Sequence, residues 1–421
     1  MRWIIVVGII VIGSNTLAAD APSTADELVP EALAATRFKL EECVAIALTN
    51  HPGLSEASAL IDESRGQVVQ SRLYPNPRID SGNPQTLGPR GTSVYSIGLT
   101  QEIVRGGKRK FDQAAAQEAS RQTEWDSVRR RFEILTTVRQ EFFSTLAAQR
   151  RKTLRRKQQQ LAQRSEAISE NLLKGGQASG ADLLSLRVER RRADAALQRA
   201  ESELAGNRRQ LAATLGVSEL KIEAVEGNLK VAVPEFDDDQ ILFQVLQASP
   251  VVQIANLDVN RTIYLLRRAE VEPIPNVTIQ GGTQYSDASN NFQALVGVYV
   301  NVPLWNKNQG NIDSANAAVR RSVATRQVVQ QSLTKNIVAA VTRFHAAEKT
   351  VATYEEGIIP DATESLTIVQ EGYAGGQFDL ERLVQTQKSF LEANLEYVSA
   401  LEDRLLSAAE IAGLLQLEQF P

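Results

Sequence analysis

The chain has 421 residues, with 46 Lys+Arg against 50 Asp+Glu and a formal net charge of −4, so it offers no basic surface to a nucleic-acid backbone. One cysteine excludes an intramolecular disulfide, and two histidines, one cysteine and one methionine are too few soft ligands for a transition-metal centre. No nucleophile–base or metal constellation is present, so no catalytic residue, metal site or cofactor is expected and an enzyme is disfavoured.

Residues 1–19 read as an export signal. Met1-Arg2-Trp3 is a short basic start, Ile4 to Gly13 is an apolar run too short to span a bilayer as a helix, and Thr16-Leu17-Ala18-Ala19 supplies small residues for cleavage. No later stretch could cross a membrane as a helix. Entry into a membrane would therefore require a closed β-barrel.

The rest of the chain carries one plan twice. Pro52 and Pro250, Pro75 and Pro273, and Pro77 and Pro275 each stand 198 residues apart. Gly98 and Gly297 stand 199 apart, and Gly175-Gly176-Gln177 and Gly375-Gly376-Gln377 stand 200 apart. A repeat of this kind sets the architecture before any motif does. It divides the chain into an N-terminal segment 20–37, a first repeat 38–217, a linker 218–239, a second repeat 240–415 and a tail 416–421.

Each repeat begins with a short helix, predicted over Leu40–Asn50 in the first, whose apolar side includes Cys43 as a buried thiol. Pro52 then opens a second helix at a position that needs no N–H donor, and Tyr74-Pro75-Asn76-Pro77 ends it. The period next changes to two, predicting strands over about 78–104 and 276–304. Tyr95, Ile97, Leu99 and Ile103 share one face in the first repeat. Phe292, Ala294, Val296, Val298, Val300 and Val302 share one in the second, with Val277, Ile279, Tyr285 and Ile79 on the earlier partners. Runs of this length, apolar on one side and polar on the other, match tilted membrane strands. A soluble sheet with one wet face has the same pattern, but the export signal and the repeat disfavour it. Four strands cannot close a membrane barrel, so if these strands lie in a membrane, several chains must share one.

Long helical hairpins follow at 107–215 and 308–414. No Pro or Gly interrupts the chain between Gly107 and Leu173, which as one helix would span on the order of 100 Å. Leu135, Val138, Phe142 and Leu146 step by threes and fours, and Ala147, Leu154, Leu161 and Ile168 step by sevens, as in a coiled coil. Leu186, Ala193, Leu197, Ala200, Leu204, Leu211 and Leu215 answer on the return helix. In the second repeat Leu333, Ile337, Val341, Phe344, Val351 and Ile358 answer, with Leu391, Leu395, Val398 and Leu405 returning. At the tips, Gly175-Gly176 and Gly375-Gly376 are expected to close the outgoing helices in left-handed conformation. Ser179 and Asp379 are expected to cap the return helices, with Leu183 and Leu383 in register. Pro360, aligned with Gln160, should kink the second outgoing helix. Gly106-Gly107-Lys108 is not a phosphate loop, because Arg109 follows where Ser or Thr is needed and Glu102 occupies the first glycine's place.

Leu40–Pro52, Tyr74–Pro77, Gln101–Arg109, Pro303–Gly310 and Gly372–Gly376 together resemble the TolC-type outer-membrane efflux proteins, most of all their CzcC-type heavy-metal branch. The resemblance covers essentially the whole mature chain. It implies a mostly α fold with a membrane β-barrel: three chains give four strands each to one twelve-stranded barrel, set on an α-helical tunnel. The segments near Ala21–Arg37 and Val217–Asp239 would form a belt where the repeats join. The homotrimer, in outer-membrane lipid, would dock through a periplasmic adaptor on an inner-membrane pump of the resistance–nodulation–division class. Gly175, Gly176, Ser179, Leu183 and their counterparts Gly375, Gly376, Asp379, Leu383 would contact that adaptor.

Relatives that close the tunnel with acidic residues place them where this chain has Arg382 and Gln385. Asp379 or Glu381 could substitute, or the gate closes through apolar and Arg contacts. The basic run Arg150, Arg151, Lys152, Arg155, Arg156, Lys157 is either a solvated coiled-coil face or a dock for an acidic adaptor surface. The expected function is a passive exit duct, carrying heavy-metal cations selected by the pump. The alternatives are the same duct serving drugs, organic compounds or type I secreted proteins, and, from another class, a periplasmic coiled-coil adaptor. The doubled hairpins with strand pairs between helices speak against the adaptor.

Overall fold

The computed structural model describes residues 37–82, 94–176, 179–233, 238–286 and 289–420. The signal segment 1–19, the N-terminal segment up to Thr36 and Gln177 at the first tip lie outside the described residues.

After a two-residue strand β1 (Arg37–Phe38), the first half forms α1 (Leu40–Asn50), α2 (Pro52–Arg72), β2 (Arg78–Gly82), β3 (Val94–Ile103), α3 (Lys108–Lys174) and α4 (Gly180–Thr214). The linker contributes β4 (Ala224–Val225), which pairs in parallel with β1. The second half forms α5 (Asp238–Ala248), α6 (Pro250–Glu270), β5 (Val277–Ser286), β6 (Asn291–Val300) and α7 (Gln309–Thr353). A π-helical turn (Tyr354–Ile358) leads into α8 (Ile359–Ala374), and α9 (Leu380–Leu414) returns. Helices α1 and α5 differ by 198 residues at both ends, as do α2 and α6, whereas α4 and α9 differ by 200.

His51 ends α1 and caps α2, its Nδ1 accepting the Gly53 amide at 3.0 Å, with Pro52 in the first turn where no amide is needed. The helix α3 runs unbroken for 67 residues, about 100 Å. Length of this kind needs packing along its whole course, since propensity alone is marginal. It rests on α2, α4, α6 and α9 in turn. Two hydroxyl clasps recur at matching places: Ser64 with Ser120 at 3.0 Å joins α2 to α3, and Thr262 with Ser322 at 2.9 Å joins α6 to α7.

The main core gathers α1, α3, α4, the linker and α9 around Phe142, Phe143, Leu211, Leu401 and Leu405. Cys43 is fully buried there, and burial pushes its thiol up to about 12, so it is inert packing. A second cluster joins α5, α6, α7 and α9 around Ile337, Val341, Phe344 and Ile411. The return-helix residues Leu186, Ala193, Leu197, Ala200, Leu204, Leu211 and Leu215 are all buried. Two departures from the expected seam have physical causes. Beyond Leu154 the seam of α3 passes from leucine to small residues, with Ala162, Ser165 and Ser169 buried while Leu161 and Ile168 are half-buried. There α3 is held on two sides, by α4 and by α9, and Gln387 of α9 donates to Ser165 Oγ at 3.0 Å. Ile358 is exposed rather than in the core, because the π-turn adds a residue and rotates the side chains at its end around the helix.

Candidate functional site

Strands β2, β3, β5 and β6 form one antiparallel sheet in the order β2-β3-β5-β6, so the strands of the two halves meet at β3 and β5. Register partitions its residues. Ile79, Leu99, Gly281 and Val296 lie in one cross-strand row, Tyr95, Tyr285 and Phe292 in another, and Ile103, Val277 and Val300 in a third, all on one face. Arg78, Thr100, Gln280 and Gly297 make a row of the opposite face, and Glu102, Thr278 and Tyr299 another. All three charged residues of these strands, Arg78, Asp80 and Glu102, lie on that second face. Asp80 is held there by Arg78 at 2.7 Å and by the Thr100 hydroxyl at 2.6 Å. The apolar face is bare: Val296 is 81% exposed, Phe292 74% and Ile79 73%. A patch this large on a single chain needs a partner or a membrane.

At the tips, one glycine of each pair does the turning. Gly175 and Gly375 keep φ near −81 and −85, whereas Gly176 and Gly376 take φ of 75 and 74. The expected left-handed closure thus falls on the second glycine. The amide of Gly176 donates to Leu173 O, and that of Gly376 to Tyr373 O, both at 3.1 Å. Ser179 and Asp182 form a reciprocal capping box on α4 at 3.1 and 3.0 Å. Asp379 accepts the Arg382 amide at 2.9 Å and so caps α9. Leu183 and Leu383 are both buried. The tips are tied together by a small cluster in which Ile168 and Leu172 of α3 pack with Val369, Tyr373 and Leu383 of the second hairpin.

The expected gate residues surround the second tip. Glu381, Arg382 and Gln385 are exposed, and the Arg382 guanidinium stacks over the Phe378 ring at 4.8 Å. The carboxylate of Asp379 is engaged in its cap. Pro360 is the second residue of α8, directly after the π-turn. Nothing in the sequence beyond Pro360 signalled that turn.

Three members of the basic run are tied to neighbouring helices, while Arg150 and Lys157 are exposed. Arg151 is paired with Glu402 of α9 and lies 3.7 Å from Glu203 of α4, while Lys152 and Arg156 reach Glu201 at 3.1 and 3.4 Å. Burial raises the Glu402 carboxyl against the opposing pull of Arg151. Arg151, Lys152 and Arg156 thus stitch α3 to its neighbours. Among the described residues no group of three or more His, Cys, Asp or Glu side chains could hold a metal ion, and no helix is long and apolar enough to cross a membrane.

Residues 44–217 and 241–415 each match the model of the family described as outer membrane efflux protein. The chain belongs to that family, the TolC-type outer-membrane efflux proteins. Its place is the outer membrane, with the helices reaching into the periplasm. It is 25% identical over 382 residues, 91% of each chain, to the cobalt-zinc-cadmium resistance protein CzcC of Cupriavidus metallidurans. Its fold is shared with solved structures at 17% identity. A membrane protein from Pseudomonas aeruginosa has a TM-score of 0.78 over 89% of this chain and 90% of that one. CusC has 0.77 over 89% and 91%, and the outer membrane protein VceC from Vibrio cholerae 0.75 over 89% and 95%.

Proposed function

We propose that the chain is a tandem duplication, and that three copies form the exit duct of a tripartite efflux system carrying heavy-metal cations out of the periplasm. The observation that carries this reading is the division of the sheet. One face is apolar and bare, the other holds every strand charge, and β2 and β6 are left at open edges. Free edges are a liability unless paired, and closure with two further copies pairs every one. The polar face then lines the lumen, as in other membrane barrels. Metal as cargo is supported by the likeness to CzcC, and selection would lie in the pump.

A deletion strain challenged with zinc, cobalt, cadmium, nickel, copper and organic drugs tests the cargo. Sensitivity to the first three, restored by the gene, is the expected result; sensitivity to drugs alone would move the reading to an organic-compound duct. In detergent the protein should run as a helix-rich trimer, and a detergent-free soluble monomer would contradict the barrel.

The tips, including Gly176 and Ser179 on one hairpin and Gly376 and Asp379 on the other, would meet the adaptor; Leu183 and Leu383, expected there too, are buried and would take no direct part. Arg382, with Gln385 and Glu381, would close the second tip in place of a carboxylate ring. Gly376→Val forces a branched residue into φ of 74, with no neighbouring atom within 4 Å of its new Cβ. The strain stays local, roughly 1–2 kcal/mol. Trimers should form normally while metal tolerance falls toward that of the deletion strain. Unchanged tolerance would remove the tip from the docking surface.

A further inference from the structure

The second hairpin contains a break that the first lacks. Helix α3 is continuous from Lys108 to Lys174, but its counterpart changes at Tyr354–Ile358 to π-helical bonding, with the Ile359 amide donating to Tyr354 O. Pro360 follows and can donate nothing to the carbonyl of Glu356. A π-turn beside a proline is a weak point in a long helix, where a bend costs fewer hydrogen bonds than elsewhere.

That weak point is strapped from outside. Arg404 of α9 donates to Leu229 O at 3.4 Å and Val231 O at 3.1 Å, and the side chain of Asn228 accepts the Lys230 amide at 3.0 Å. Leu229 is buried in the main core. The linker is thereby fixed to α9, and Lys230 projects from it onto the π-turn. Its Nζ lies 3.0 Å from Glu355 Oε1 and 5.3 Å from the centre of the Tyr397 ring. The Tyr397 hydroxyl donates to the same Glu355 carboxylate, Tyr354 stacks on Tyr397, and the Tyr354 hydroxyl donates to Glu396. Beside this cluster an open groove of about 410 Å³ is bordered by Lys230, Glu355, Ile359, Pro360 and Thr363, so among the described residues no packed side chain from elsewhere fills that side of the turn.

We propose that Tyr354–Pro360 is a hinge and that the linker segment Asn228–Val231 is a strap locking it through the Lys230–Glu355 pair. The strap links the belt between the halves to the second hairpin, so a pull on the linker releases the bend. Its role in holding the duct shut rests on the reading of the protein as a duct. The hinge and strap themselves do not.

Two measurements separate these. Amide exchange, read by mass spectrometry on the purified trimer, should quicken in peptides covering 354–364 in Lys230→Glu by roughly two- to five-fold, the range an exposed ion pair supports. It should return toward the native rate in the Lys230→Glu/Glu355→Lys swap. Unchanged exchange in Lys230→Glu overturns the strap. In planar bilayers the open probability of Lys230→Glu should rise by a similar factor. In a Cys43→Ala background, Lys230→Cys/Glu355→Cys joined by a thiol-cleavable bis-methanethiosulfonate should open less, and recover on reduction of the same molecules. Conducting channels indifferent to both changes would overturn the lock. Faster exchange with no conductance in any variant would instead overturn the duct.

Discussion

Replacing Val296 by arginine should abolish assembly in the outer membrane while leaving the helical hairpins folded. Val296 is midway along β6, in the row with Ile79, Leu99 and Gly281, and its side chain is 81% exposed. No packing within the chain is lost, so the penalty comes from the surroundings alone. An arginine at the bilayer midplane of a barrel costs roughly 2–4 kcal/mol. In the proposed trimer, three such sites would bring that to on the order of 6–12 kcal/mol if they act independently. Membrane fractionation and the heat-sensitive trimer band on gels would read the loss.

The neighbouring position supplies the control. Gln293 lies on the polar face, opposite Gln284, and its side chain is exposed. Gln293→Arg puts the same charge a few residues away into water, and should assemble normally. The reverse outcome, Val296→Arg tolerated and Gln293→Arg lost, would exchange lipid and lumen faces and remove the main support for the duct.

Much of this was readable from residue order because the demanding positions repeat. The prolines that open α2 and α6, the glycine pair at each tip and the alternation of β3 and β6 all follow from local rules. Those rules leave few options: a missing N–H, a positive φ, a period of two. What escaped was decided by neighbours distant in sequence. The basic run looks the same whether it faces solvent or Glu201, Glu203 and Glu402; only packing against α4 and α9 tells them apart. Leu161 and Ile168 fit a heptad, but a helix gripped on two sides buries small residues instead. The π-turn escaped because Pro360 signals a fault and not how the chain absorbs it. The linker residue Lys230, 125 positions before its partner Glu355, carried no sequence signal at all.

The matching ends of the two return helices should respond differently to substitution. Both return helices end in a residue with positive φ: Gly216 at 81 and Gln416 at 59. Amides bond alike at both ends, Val217 to Ala212 O at 3.2 Å and Leu417 to Ala412 O at 2.9 Å. The surroundings differ. A Cβ on Gly216 would lie 2.7 Å from Asn50 O and 2.8 Å from His51 Cα, backbone atoms that cannot rotate away. At the second end there is space, and the Gln416 side chain donates to Ala248 O at 2.9 Å across the corresponding turn. Gly216→Ala therefore combines left-handed strain with an overpacked backbone contact, for a loss of roughly 2–5 kcal/mol. Gln416→Gly relieves strain of about 1–2 kcal/mol and gives up one exposed hydrogen bond worth about 1 kcal/mol, leaving stability nearly unchanged. Thermal unfolding of the detergent-solubilised trimers should show Gly216→Ala several degrees below the parent and Gln416→Gly close to it. A loss in Gly216→Ala of only the roughly 1–2 kcal/mol that left-handed strain accounts for would mean that strain, not the abutting α1–α2 turn, governs that end.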